Sequence, residues 1–198
     1  MKQCIKTDEV EEFPIRNCPW LPDKTLPPTR VFLRRSRTSL KFRFLVREKQ
    51  PRITCHQMND PVYKDSCVEL FIQPLGKPGT PYLNFEINAA GTLLLGKGVT
   101  RADRELLTPQ EAAGITIRPG ACTDPFGDAW WEMLLEIPFS WLEAQVPGFR
   151  AEAGACLRMN LYKCGDDTAV PHYGSWNPMT AQKPDFHRPE DFGELELV

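Results

Sequence analysis

The sequence predicts an all-β fold, an antiparallel β-sandwich of jelly-roll-like form with one or two short helices, in a single domain over residues 1–198. Three observations predict it. Several segments alternate apolar and polar residues with period two, the pattern of half-buried strands. Nineteen prolines and thirteen glycines are scattered along the chain and cut it into short pieces. Helical signals are confined to two brief stretches, so many short strands with Pro/Gly-rich connections remain.

The strands follow in order. In "SLKFRFLVRE", Leu40, Phe42, Phe44 and Val46 share one face, opposite Lys41, Arg43 and Arg47. In "CVELFIQ", Val68, Leu70 and Ile72 oppose Cys67, Glu69 and Phe71. In "YLNFEIN", Leu83, Phe85 and Ile87 oppose Tyr82, Asn84, Glu86 and Asn88. "WWEMLLEIP" sets Trp131, Met133, Leu135 and Ile137 against Glu132, Leu134 and Glu136, and "CLRMNLYK" sets Leu157, Met159 and Leu161 against Arg158, Asn160 and Tyr162. The tail "GELELV" closes the sheet as a last strand. "TPQEAAG" carries Thr108 as N-cap, Glu111 for a capping box and Gly114 as a stop. "PFSWLEAQVPG" allows one or two turns between Pro138 and Pro147. Neither stretch is long enough for a core helix. Between Gly96 and Gly114 the alternation weakens, which reads as a long excursion from the sheet.

Composition narrows the function. Apolar residues make up 41% and charged residues 25% of the 198, enough for a real core. The formal net charge is -2 and the pI ≈ 6.0, so there is no electrostatic case for nucleic acid. The basic cluster Arg30, Arg34, Arg35 and Arg37 reads as a solvated strand edge answered by carboxylates. No apolar run is long enough for a membrane span. The first residues, "MKQCIKTDEVEEF", are charged where a signal peptide is apolar, so the chain is expected to be cytosolic or the mature part of an exported protein. Seven scattered cysteines without a C-x-x-C pair argue against a disulfide framework, and Cys67 and Cys156 read as small buried hydrophobes.

No Gly-x-Ser-x-Gly elbow is present. Cys55 and His56 are adjacent, which turns them to opposite faces rather than into a dyad. The three histidines, His56, His172 and His187, show no zinc spacing. Calcium is the one metal left open, on the loops holding Asp166, Asp167 and Asp128, and no cofactor is otherwise expected. Glu69 and Glu86 could serve as a carboxylate pair on a glycoside if their strands are neighbours. They share the non-core phase with Asn88 and Asn160, so adjacent strands would make one polar wall. Tyr63, Tyr173 and Trp176 lie on loops that could frame it. Trp176 stands between two structure breakers in "HYGSWNP", where the residues admit either an edge plug or a ligand platform.

These segments carry a resemblance. "YKDSCVELFIQP", "YLNFEINAAGTL", "WEMLLEIPFSWL", "RMNLYKCGDD", "GSWNPM" and "FHRPEDFGELEL" occur in the order seen in carbohydrate-binding module family 9 and its relatives, β-sandwiches related in fold to DOMON domains that bind sugar or haem. The similarity runs from about residue 30 to the C-terminus. It implies a sugar unit sandwiched by two aromatics, at the positions of Tyr63 and Trp176, with Glu69, Asn88 and Asn160 gripping hydroxyls. Two positions depart from the family pattern: Glu86 stands where the family has Arg, and Tyr173 where it has Asn.

The resulting expectation is a non-catalytic carbohydrate-binding domain with ligand residues Tyr63, Glu69, Glu86, Asn88, Asn160, Tyr173 and Trp176. A degenerate member acting as an interaction module stands next. A DOMON-type haem domain would draw axial ligands from His56, Met58, His172, His187 and Met179. An enzyme using Glu69 and Glu86 ranks below these. A carbohydrate ligand is the expected partner, and a catalytic glycoside-active partner is the association such domains imply.

Overall fold

A computed structural model describes residues 3–21, 23, 25–124 and 126–198. The strands are β1 (Gln3–Ile5), β2 (Val10–Ile15), β3 (Thr29–Arg35), β4 (Ser39–Val46), β5 (Cys67–Gln73), β6 (Tyr82–Asn88), β7 (Leu93–Gly98), β8 (Glu105–Leu106), β9 (Thr116–Thr123), β10 (Ala129–Pro138), β11 (Cys156–Gly165), β12 (His172–Ser175) and β13 (Gly193–Leu197), with α1 (Phe139–Gln145) after β10. One sheet runs β1-β13-β11-β5-β6-β7-β8, with β12 also paired to β11; the other runs β2-β3-β4-β10-β9. The predicted β-sandwich is thus present. Its pairs are antiparallel except β1 with β13, which is parallel. Two of the strand prolines lie on edge strands, Pro14 on β2 and Pro119 on β9, and the third, Pro138, is the last residue of β10.

The alternating residues meet between the sheets. Leu40, Phe42, Phe44 and Val46 from β4, with Trp131, Met133, Leu135 and Ile137 from β10, pack on Val68, Leu70 and Ile72 from β5 and Leu83, Phe85 and Ile87 from β6. Leu157, Met159 and Leu161 of β11 complete the layer. Burying each such side chain stabilises by roughly 1.5–3 kcal/mol relative to exposure.

Several expectations need correction. The basic cluster is no sheet edge, because β3 lies between β2 and β4. Arg30 pairs with Glu12 at 2.8 Å and Arg34 with Asp8 at 3.0 Å, while Arg35 is buried and donates to the Val198 carbonyl at 2.7 Å. "TPQEAAG" forms its capping box, with Glu111 Oε2 accepting from Thr108 N at 2.8 Å and Thr108 Oγ1 from Glu111 N at 3.3 Å, but the chain closes only a turn. Seven residues are too few for an isolated helix. Yet α1 is held because Phe139, Trp141 and Leu142 dock into the core.

Both faces of β5 and β6 are buried. The outer face is covered by the segments 51–66 and 176–192, which are pinned by buried polar groups. Asp65 accepts from the Thr54 and Cys55 amides at 2.9 Å each and from Asn88 Nδ2 at 3.0 Å. Burial alone would raise the Asp65 pKa, but the hydrogen bonds from Thr54, Cys55 and Asn88 outweigh it and hold the carboxyl below its ordinary range. On the other side, Asn160 Nδ2 donates to the Asn177 carbonyl at 3.1 Å while its Oδ1 accepts from the Asn177 amide at 2.9 Å.

Trp176 follows β12 and turns toward the core. Its ring meets Phe13 edge-on at 4.9 Å between centroids, and a Cβ on Gly193 would lie 2.6 Å from the indole. Its amide donates to the Leu161 carbonyl at 2.8 Å. Trp176→Ala is expected to cost about 2–4 kcal/mol of folding free energy, the scale of removing a large aromatic from a packed site. Urea unfolding reads this directly, and an unchanged midpoint would remove Trp176 from the sandwich's packing.

Candidate functional site

The register of three strands assembles the site. Glu69 of β5 lies directly opposite Glu86 of β6 on one side and Tyr162 of β11 on the other. One step along the strands, Phe71 lies between Asn84 and Asn160; the other way, Cys67 lies between Asn88 and Cys164. All of these point away from the sandwich core, as the alternation of their strands requires. The polar wall expected from Glu69, Glu86, Asn88 and Asn160 therefore exists as one face of one sheet.

The covering segments leave one part of this face open. A cleft of about 180 Å³ is lined by Tyr63, Phe71, Tyr173 and Phe186 among the aromatics, by Glu69, Glu86, Asp166 and Asp185 among the acids, and by Arg101 and Arg104. Tyr63 comes from the single turn Val62–Lys64, Tyr173 from β12 beside Cys164, and Phe186 from the segment before β13. Phe186 stacks on Tyr162 with centroids 4.0 Å apart and planes at 12°.

Of the seven expected site residues, Tyr63, Glu69, Glu86 and Tyr173 line the cleft. Asn88 and Asn160 lie on the same face but spend their amides on the covering segments: Asn88 Nδ2 donates to Asp65 and to the Cys55 carbonyl at 2.9 Å. Trp176 is turned to the sandwich interior, so the expected Tyr63–Trp176 clamp is not the arrangement found. Its flanking Gly and Pro break the strand without deciding which way the indole turns, and the space beside Phe13 and Gly193 decides it. The Phe and Tyr side chains that line the cleft among the described residues are Tyr63, Phe71, Tyr173 and Phe186.

Arg104 was not legible as a site residue. It lies in the Gly96–Gly114 excursion, where the pattern weakens, and crosses the outer face of β7. A Cβ on Gly96 would sit 2.7 Å from Arg104 Cδ, and one on Gly98 2.7 Å from Arg104 Cα. Two glycines in the outward phase of β7 are thus the sequence signal for a side chain lying across that strand. Arg104 Nη1 reaches Glu86 Oε1 at 3.2 Å, and Asn84 Nδ2 reaches the same oxygen at 2.9 Å. The strand position that carries an acid here is therefore answered by a guanidinium from elsewhere in the chain.

Arg104 Nη1 also lies 3.1 Å from His187 Nε2, while His187 Nδ1 is 2.8 Å from the Tyr82 hydroxyl. A guanidinium only donates, so Nε2 accepts and Nδ1 carries the proton. Burial, then the charges of Arg104 and Arg101, push the His187 pKa down to about 3. Both of its ring nitrogens are engaged. His172 is likewise engaged, by Lys163 Nζ at 2.7 Å and the Val170 carbonyl at 2.8 Å, and His56 is exposed. On the loops considered for calcium, Asp128 pairs with Arg47 and Asp167 with Lys64 at 3.9 Å.

The two opposed glutamates differ in support. Burial pushes the Glu86 pKa up to about 7 against the counter-pull of Arg104 and Asn84. Burial, then the neighbouring Cys164 and Glu86, push Glu69 well above the ordinary carboxylate value. Glu69 has the Cys164 thiol at 2.9 Å in place of a cation. Burial without a cationic partner thus favours the protonated form of Glu69, whereas Arg104 and Asn84 favour ionisation of Glu86.

A raised folded-state pKa means that the folded chain binds the proton more tightly than the unfolded one. That contribution is complete below the unfolded value near 4.5 and is lost as pH rises through about 7. Glu86→Gln removes it. Relative to the parent chain, the variant is expected to gain about 1–3 kcal/mol between pH 5 and pH 7.5. Comparing the two chains cancels the opposite slope from His172 and His187. Paired melting curves across this range check it, and a difference that does not change with pH would contradict the raised pKa.

No curated protein matches the chain significantly. Among solved structures, a candidate carbohydrate-binding protein from Bacteroides uniformis aligns over 100% of both chains with 25% identity and a TM-score of 0.84. A carbohydrate binding module family 9 from Caldicellulosiruptor kristjanssonii in complex with glucose covers 100% of this chain and 96% of its own, at 12% identity and a TM-score of 0.64. The same organism's module in complex with cellotriose aligns at 11% identity over 100% of this chain and 93% of its own, with a TM-score of 0.62. These last two share the fold. The model for carbohydrate-binding family 9 matches residues 1–197, which extends the similarity through the first strands, and the chain belongs to that family.

Proposed function

We propose that this protein binds a carbohydrate in the cleft above Glu69 and Glu86, without chemical turnover. One observation carries the reading: the aromatic side chains of Tyr63, Phe71, Tyr173 and Phe186 line one cleft together with a buried carboxylate pair and Arg104. A pyranose needs those two kinds of surface, apolar faces for its C–H groups and donors and acceptors for its hydroxyls. Family membership and the glucose and cellotriose complexes of two structural neighbours support the same ligand class. The cleft is smaller than the ~300–1,000 Å³ of sites for drug-sized ligands. It suits one sugar unit, a monosaccharide or the end of a chain.

In this reading Glu86 accepts from ligand hydroxyls while Arg104 donates, and Glu69 offers one further polar contact. Tyr63 and Tyr173 supply the stacking faces. Sugar hydroxyls exchange water for protein partners at a net gain of only ~1 kcal/mol each, so affinity is modest and fit governs selectivity. No catalytic step is assigned, because Glu86 is held by Arg104 and Asn84 and Glu69 by the Cys164 thiol.

Calorimetry against glucose, other common monosaccharides and cello-oligosaccharides tests this. Saturable binding to at least one is expected. Tyr63→Ala should weaken it about tenfold, the ~1.4 kcal/mol scale of an aromatic contact, and Arg104→Ala should weaken it at least as much. Trp176→Phe should leave it unchanged. No saturable binding, or binding indifferent to both Tyr63→Ala and Arg104→Ala, would overturn the assignment. Release of aryl alcohol from aryl glycosides that disappears in Glu69→Gln would overturn the absence of turnover.

A further inference from the structure

We propose that Cys67, Glu69 and Cys164 form a binding site for a thiophilic divalent cation of the zinc type at the floor of the cleft. Cys67 and Cys164 are direct partners across β5 and β11, and Glu69 follows Cys67 by two residues on the same face. The three donor atoms all lie within 4.8 Å of one another. Cys164 Sγ is already 2.9 Å from Glu69 Oε1. A tetrahedral ion with bonds of about 2.3 Å to sulfur sets its ligands ~3.8 Å apart, so small rotations of these side chains suffice to close on one.

The chemistry of the donors selects the ion. Two sulfurs and one carboxylate suit a soft or borderline cation. Calcium, which takes six to eight oxygens, does not fit them. Cys67 lies beneath while Cys164 and Glu69 line the cleft. A fourth ligand, water or a hydroxyl of a bound molecule, would approach from the open side. Among the described residues no ion pair answers Glu69 with a cationic side chain, although three acidic groups are packed together there. Metal ligation needs the three donors deprotonated, so loading the site would release protons. Lys163, the nearby cation, is paired with Glu48 at 3.6 Å, which offsets its repulsion of a bound ion.

None of these features is visible as a motif, because the cysteines are separated by about half of the chain and neither belongs to a C-x-x-C pair. The inference does not depend on sugar binding. A loaded site and an empty cleft are compatible, and so is the reverse.

The test uses the full chain carrying Cys4→Ser, Cys122→Ser and Cys156→Ser, which removes the thiols that are not buried. Cobalt(II) is titrated without oxygen under a phosphine reductant. One equivalent should bind, with thiolate-to-metal charge-transfer absorption and the strong visible bands of a four-coordinate ion. Cys67→Ser and Cys164→Ser should each weaken binding at least tenfold and lower the charge-transfer intensity, and Glu69→Gln should weaken binding with that absorption kept. Absence of charge transfer under excess cobalt, or the same intensity with both cysteines replaced, would overturn the site. Should those variants fail to fold, X-ray absorption on the zinc-loaded parent decides: two sulfur neighbours support the site, and none or one overturns it.

Discussion

The position of β5 between β6 and β11 is the constraint on which the rest depends. Its inward residues Val68, Leu70 and Ile72 tie it into the core, so its register cannot slip without exposing them. The same register places Cys67, Glu69 and Phe71 on the outer face, each opposite a fixed partner on both neighbours. One set of backbone pairings thus stabilises the sandwich and aligns two carboxylates and two thiols.

Covering that outer face creates the conditions for its chemistry. Segments 51–66 and 176–192 are held down by Asp65 with Asn88 and by Asn160 with the 177 peptide, a small number of well-paired polar groups in apolar surroundings. The cover removes water from Glu69, Glu86, Cys67 and Cys164, which is why all four resist ionisation. The opening left between the covers is where polar ligand groups, or a cation, can return the lost interactions. Arg104 and His187 then tune Glu86: the arginine supplies the charge, and the neutral histidine links it to Tyr82.

The sandwich was legible because alternation records burial on one face. The five strands read from period two all occur with the expected inward residues. The second burial layer was not legible. Glu69 and Glu86 look like solvated residues in a half-buried strand, and what covers them is supplied from distant segments. Trp176 was misplaced for the same reason: local breakers show that a loop begins, whereas its direction depends on the space beside Phe13 and Gly193. Arg104 lay in the stretch with the weakest pattern, and only the spacing of Gly96 and Gly98 hinted at it. The opposed glutamates, by contrast, follow from the phase of their strands, and Tyr63 enters from its loop position and the family resemblance.

A carbohydrate bound as proposed occupies the cleft over Glu69 and Glu86. Titrating isotope-labelled protein with glucose or cellotriose while recording amide and indole resonances tests it most directly. Shifts should cluster on Tyr63, Arg104, Tyr173 and Phe186, and the Trp176 indole should stay in place. Shifts centred on Trp176 or on the opposite sheet, or none at saturating sugar, would contradict the account.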